Sequence, residues 1–214
     1  MTSFMLQTTR LDIHLHTRRH SGDSLLDERQ LVTQALRAGL NGVVITEHHF
    51  QWPDDELAEL RRDIVAPPGF VLLSGFEYSS RKGDILVYGL DHTWAQRYAP
   101  GREPDEMLRI FQEAGAVCIA AHPTRERIPF DDRILDMPFQ GLEVESCNMA
   151  GHEQRLARKL AAGMNLPMTA SSDAHRIEDL GAYATSFEGR IESMSDFVDC
   201  VRRGAFAPAA RATT

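Results

Sequence analysis

His14 and His16 stand one residue apart in the segment RLDIHLHT. Residues two apart in a β-strand point to the same face, so these two imidazoles can grip one cation. Other short apolar runs meet ligand-type residues in the same way. One ends Thr46-Glu47-His48-His49, another Gly75-Phe76-Glu77, and a third Ala121-His122-Pro123. A fourth ends Glu143-Val144-Glu145-Ser146-Cys147-Asn148 and a fifth Ser172-Asp173-Ala174-His175, while the run after Glu77 opens at Asp84. Imidazole with carboxylate suits Zn, Mn or Fe better than Ca or Mg. A bridging carboxylate such as Glu77 can hold two cations roughly 3.5–4 Å apart, and such a pair lowers the pKa of water and clamps a phosphoryl oxygen. The chemistry this favours is cleavage of a phosphoester by a metal-activated hydroxide. Each signal has a plainer reading alone: His122 as a turn residue before proline, Asp173-x-His175 as a helix cap, Glu77 as an ion-pair partner. Their joint occurrence at separate strand ends selects the metal cluster. His92 and His152 lie off the pattern and read as surface residues. Glu143 and Glu145 could join the site, one of them more naturally making a core or rim hydrogen bond.

The elements that must position these groups alternate between strand-like and amphipathic segments. Strands are predicted over 10–17, 42–48, 70–78, 84–90, 116–121, 141–146, 167–172 and 182–187. Helices are predicted over 27–38, 54–66, 104–114, 152–162 and 194–203. The alternation predicts an α/β fold with a largely parallel sheet, a closed barrel before an open doubly wound sheet. All the ligand-bearing strand ends then converge on one rim. Residues 78–84 leave no room for a helix, which predicts a hairpin. The polar loop 124–140 is long enough to cover a site. The tail 205–214 reads as frayed.

Composition sets the outer bounds. The 214 residues, expected to form a single domain, carry 23 basic and 31 acidic groups, a formal charge of −8, with nine histidines. The acidic balance argues against a general nucleic-acid binder. The three cysteines have no paired spacing, which fits a reducing cytoplasm. No run is long enough to span a membrane, and the first seven residues do not read as a signal peptide.

The series DIHLHT, ITEHH, GFE, AHP, EVESCN and SSDAH, in that order over residues 10–180, resembles the PHP (polymerase and histidinol phosphatase) family. The resemblance implies a distorted (β/α)7 TIM-like barrel. It also implies a site for two or three divalent ions (Mn, Fe or Zn) and phosphoesterase activity on histidinol phosphate, nucleotides or nucleic-acid ends. It implies that His14, His16, Glu77 and Asp173 bind a first metal, that Glu77 bridges to a second held also by His122, and that His48 and His175 hold a third. Asp12 would orient an imidazole. Three positions depart from the family pattern. Asp84 stands where a histidine is common, Asp23 (with His20 as rival) is the candidate for the third metal, and Glu47 replaces an aspartate. A phosphate also calls for arginine, and Arg18, Arg19, Arg125, Arg127 and Arg176 lie near proposed ligands, Arg125 foremost. Asp12 and Arg125 are thus the non-ligand residues expected in the catalytic machinery. With few aromatics and no basic arm, a small phosphorylated metabolite or nucleotide is expected rather than a long nucleic acid. The rival readings are a metal-dependent hydrolase of another ester or C–N bond and a non-catalytic PHP-like module. Lys82 and Lys159 are the only lysines, and neither ends a predicted strand, so no candidate exists for a carbamylated bridge.

Overall fold

A computed structural model describes residues 8–210. Nine strands make one sheet: β1 Thr8–Asp12, β2 Gly42–His48, β3 Val71–Ser79, β4 Asp84–Tyr88, β5 Val117–Ala121, β6 Gly141–Glu145, β7 Met168–Ala170, β8 Thr185–Glu188 and β9 Phe206–Pro208. Five helices accompany it: α1 Leu31–Arg37, α2 Asp54–Asp63, α3 Pro104–Glu113, α4 Gly151–Met164 and α5 Met194–Arg202. The strand order is β7-β6-β5-β4-β3-β2-β1-β8-β9. Local sequence explains the elements. β2 is rich in β-branched residues, which pack well on a pleated surface. α3 opens with Pro104, where no N–H is needed, and buries Met107, Leu108 and Phe111 on one face.

β1, β2 and β3 run parallel, as do β5, β6 and β7. β4 runs antiparallel to both of its neighbours, forming the predicted hairpin with β3. This reversal matters for the site. The first residue of β4, Asp84, pairs with Ser79 and Ala121 and so reaches the rim where the parallel strands end.

The sheet is nearly closed, so the barrel is observed rather than the open sheet. Beyond β1 and β7 the chain pairs Leu15 with Ala174, through His16 N–H to Ala174 O (2.9 Å) and Asp173 N–H to His14 O (2.8 Å). Below that seam, Thr185 Oγ1 on β8 donates to Ala170 O (2.8 Å) and accepts from Ala170 N–H (3.1 Å) on β7. Side chains fill the lower barrel. Leu11, Leu86, Tyr88 and Ile119 pack with Phe197 and Val201 of α5 and Phe206 of β9. The ligand residues therefore stand on a packed floor.

Two expectations change. β1 is shorter than predicted: past Asp12 the chain keeps a bond to β2, from Thr46 N–H to Leu15 O (2.9 Å), but its next bridge is to Ala174 in the segment after β7. The frayed tail is corrected up to residue 210. Phe206–Pro208 pairs with β8, and Phe206 is buried because it closes the barrel base. Residues 211–214, and residues 1–7 on which the leader reading rests, lie outside the described residues. The three cysteines are unpaired. No helix among the described residues is long and apolar enough to cross a membrane.

Candidate metal centre

The end of the first strand run brings His14 and His16 together at the barrel mouth, with Nε2 atoms 3.2 Å apart. Glu77, at the end of β3, places Oε2 3.5 Å from His14 Nε2 and 3.3 Å from His16 Nε2. Asp173, after β7, places Oδ1 3.4 Å and 3.3 Å from the same two nitrogens. Two imidazole nitrogens flanked on this scale by two carboxylate oxygens are the donor types and spacing a divalent transition metal takes. Glu77 Oε2 is buried and accepts no hydrogen bond, although three imidazole nitrogens lie within 3.5 Å of it. A buried carboxylate oxygen left unpartnered among imidazole nitrogens is what a cation would satisfy, and the donor set fits a divalent metal.

Two further groups adjoin the first. Glu77 Oε1 lies 3.1 Å from His122 Nε2, so the two carboxylate oxygens face different groups. Asp84 Oδ2 and Asp173 Oδ2 each lie 3.9 Å from that nitrogen, and Asp84 Oδ1 is buried without a partner. On the other side, Asp23 Oδ2 lies 3.2 Å from His48 Nε2 and 3.4 Å from His175 Nε2. The Asp23 side chain is 58% exposed, so this third group opens to solvent. His20 instead pairs with Glu56 at 3.0 Å and stacks on Phe50, away from the cluster.

Charge balance follows from this crowding. Burial opposes the imidazolium of His14, yet the carboxylates of Asp173, Glu143 and Glu77 hold its pKa well above the ordinary range. Burial likewise opposes a charge on His16, but bonds to Asp173 and Glu77 carry it up to about 9. Burial would raise Glu77 and Asp173. The neighbouring histidines, His14 first, instead hold both below the usual carboxylate range. Asp84 goes the other way, up to about 6, because of burial and the charge of Glu77.

The support around the ligands differs from the sequence expectation. Glu143 on β6 orients the imidazole: one oxygen lies 3.1 Å from His14 Nδ1 and the other accepts from His122 N–H at 2.8 Å. The Asp12 carboxylate, expected to orient an imidazole, instead accepts from backbone N–H groups, that of His14 among them. Its oxygens accept from Ser172 N–H (2.9 Å) and Gly181 N–H (3.0 Å), tying the barrel seam. Burial pushes its carboxyl up to about 6. Glu145, two residues beyond Glu143, pairs with Arg158 at the periphery. Strand alternation would place Glu143 and Glu145 on one face, but the β6–β7 register shifts between them. Glu47 is fully buried and accepts from Thr17 N–H (2.9 Å), Ser21 Oγ (2.6 Å) and Trp52 Nε1 (3.0 Å). It fixes the turn that follows His16. His122 and Asp173 have φ of +29° and +50°, left-handed values that cost a non-glycine residue energy and mark the mouth as strained.

A cleft of about 870 Å³ opens over the cluster. Arg125 and Arg127 line it, whereas Arg18 and Arg19 pair with Asp27 and Glu56. Arg176 is absent from its lining. Arg125 Nη2 lies 3.6 Å from Asp84 and Nη1 3.5 Å from Asp173, and its Nε has no partner. Among the described residues, no Phe, Tyr, Trp or Lys lines the cleft. His152 is exposed and pairs with Glu126. His92 is exposed as well.

Comparison with known proteins agrees with this architecture. Residues 151–206 match the family model described as PHP-associated. No curated protein sequence matches the chain. Among solved structures, PsfC from Pseudomonas syringae PB-5123 has a TM-score of 0.73 at 18% identity, covering 95% of this chain and 92% of that one. A two-domain protein from Bacteroides vulgatus containing a predicted PHP-like metal-dependent phosphoesterase has a TM-score of 0.70 at 16% identity, covering 96% and 66%. The lesion-specific endonuclease PfuEndoQ from Pyrococcus furiosus has a TM-score of 0.67 at 14% identity, covering 94% and 58%. The fold is the PHP-type TIM-like barrel. The match to the PHP-associated model covers residues 151–206, and the likeness to the solved structures is one of fold.

Proposed function

We propose that the chain is a metal-dependent phosphoesterase acting on a small phosphorylated metabolite or nucleotide. One observation carries the reading: the four donor atoms of His14, His16, Glu77 and Asp173, five of whose separations are 3.2–3.5 Å, lie beneath a cleft lined by Arg125. His14, His16, Glu77 and Asp173 would hold one cation, Glu77, Asp84 and His122 a second, and Asp23, His48 and His175 a third. When bound, two or three such ions (Mn, Fe or Zn) neutralise phosphoryl oxygens and make water a nucleophile near neutral pH. The chain's own groups supply binding and order. Glu143 keeps the His14 ring turned toward the cluster. Arg125 offers a planar fork to a phosphoryl oxygen beside Asp84 and Asp173.

The same ligands would also serve hydrolysis of another ester or a C–N bond. Arginine at the mouth and the lack of a lysine there favour the phosphoester. The absence of Phe, Tyr and Trp from the described cleft lining leaves no large stacking platform for bases, which favours a small substrate; the endonuclease neighbour keeps nucleic-acid ends in the test panel. The test is elemental analysis of purified protein, then turnover with the metal restored. The panel holds p-nitrophenyl phosphate, its bis-ester, nucleotides, 5′-ended oligonucleotides, amides and lactones. The expected result is two or three transition-metal ions per chain and phosphoester turnover abolished by His14→Ala. Turnover of amides or lactones alone would overturn it in favour of the other hydrolase. Bound metal without any turnover would point to a non-catalytic module.

A further inference from the structure

We infer that Glu153 is a positioning residue, the post that holds the arginine-bearing segment 124–128 over the cleft for a phosphate ester. The inference rests on the phosphoesterase reading and adds how its anion-binding edge is held. Glu153 lies in the first turn of α4 and is 6% exposed. One carboxylate oxygen accepts from the Ala150 N–H (2.6 Å), an ordinary reach from helix to cap. The other accepts from the Glu126 N–H (2.7 Å), far away in sequence, and the Glu153 carbonyl accepts from Thr124 Oγ1 (2.7 Å). A helix cap needs only the first of these bonds. The other two grip the residues on either side of Arg125.

The segment is pinned from its other end as well. His122 holds a left-handed φ of +29° and contacts Glu77, and Arg125 N–H closes a turn onto His122 O at 3.0 Å. Arg125 thus sits between a ligand-bearing residue and a buried carboxylate anchor. Its guanidinium faces Asp84 and Asp173, and Arg127 lines the same cleft. A long side chain on a free loop would lose rotamer freedom on gripping an anion. Fixing its backbone beforehand lowers that cost and keeps the fork aimed.

The experiment is a double-mutant cycle with inorganic phosphate as the probe on metal-loaded protein, read by calorimetry. Metal content and KM and kcat for p-nitrophenyl phosphate are followed in parallel. Glu153→Ala is expected to keep the wild-type metal content, weaken phosphate binding about tenfold and raise KM by a similar factor, with kcat little changed. Glu153→Gln, which retains one acceptor oxygen, should fall between the two. Arg125→Ala should weaken phosphate binding at least as much, and adding Glu153→Ala to it should cost nothing more, because the post then has no fork to hold. Additive losses, loss of metal in Glu153→Ala, or unaltered phosphate binding would each overturn the inference. A wild-type protein that binds no phosphate sinks the phosphoesterase reading itself; phosphate binding indifferent to Glu153 sinks only the post.

Discussion

His16 Nε2 lies 3.3 Å from both Glu77 Oε2 and Asp173 Oδ1, and that proximity sets a pH dependence for the metal-free protein. Its pKa is raised from 6.5 to about 9 in the fold. The stability this contributes is fully present below about pH 6.5 and is lost as pH rises through about 9. A metal must displace the same proton. At pH 8, zinc or manganese binding should therefore release protons, seen as a calorimetric heat that changes with the ionisation enthalpy of the buffer. A heat independent of buffer would show that the imidazoles are already neutral. At this scale the sequence is informative for ligands and poor for their supports. The H-x-H spacing needs only strand alternation. Whether Asp12 or Glu143 orients the ring depends on which carboxylate reaches Nδ1 across the barrel, and no local pattern carries that distance.

At the scale of elements, the β3–β4 hairpin does the most for the site, since it delivers Glu77 from the end of one strand and Asp84 from the start of the next. Gly75 makes that pairing possible. A Cβ there would sit 2.5 Å from Val87 O and 2.6 Å from Tyr88 Cδ1, and backbone cannot swing aside as a flexible side chain can. Gly75→Val should destabilise the protein by about 3 kcal/mol in urea unfolding, the range of an overpacked core, and lower its metal content together with its stability. Wild-type stability and metal content would show that the hairpin yields. The hairpin itself was legible, because the five residues between two apolar runs, 79–83, cannot hold a crossover helix. The short β9 was not: Phe206–Pro208 follows a helix with no alternation long enough to register, and only its pairing with β8 makes it a strand.

At the scale of the whole molecule, the barrel closes through a seam between the β1 and β7 runs, made by two backbone bonds and by the Asp12 side chain. Asp12 is the latch, with both oxygens on backbone N–H groups some 160 residues or more away in sequence. Asp12→Ala would leave the buried Ser172 N–H and the half-buried Gly181 N–H without their partner and should cost about 2–3 kcal/mol of unfolding free energy. His14 and Asp173 sit beside this seam, joined by a backbone bond of 2.8 Å, so metal affinity should fall with stability. Unfolding like wild type would show that water or another group satisfies both donors.

By itself the sequence determined the strand ends that carry the ligands, the alternation of strands and helices, and the hairpin that inverts β4. These follow from periods of two and 3.6 residues and from chain length, all short-range quantities. Only the tertiary structure decided that Asp23 rather than His20 meets His48 and His175, that Glu143 and not Asp12 holds the His14 ring, and that Glu153 braces the Arg125 segment. Each of those outcomes depends on a register shift, a seam or a loop path, and each joins residues that the chain alone leaves far apart.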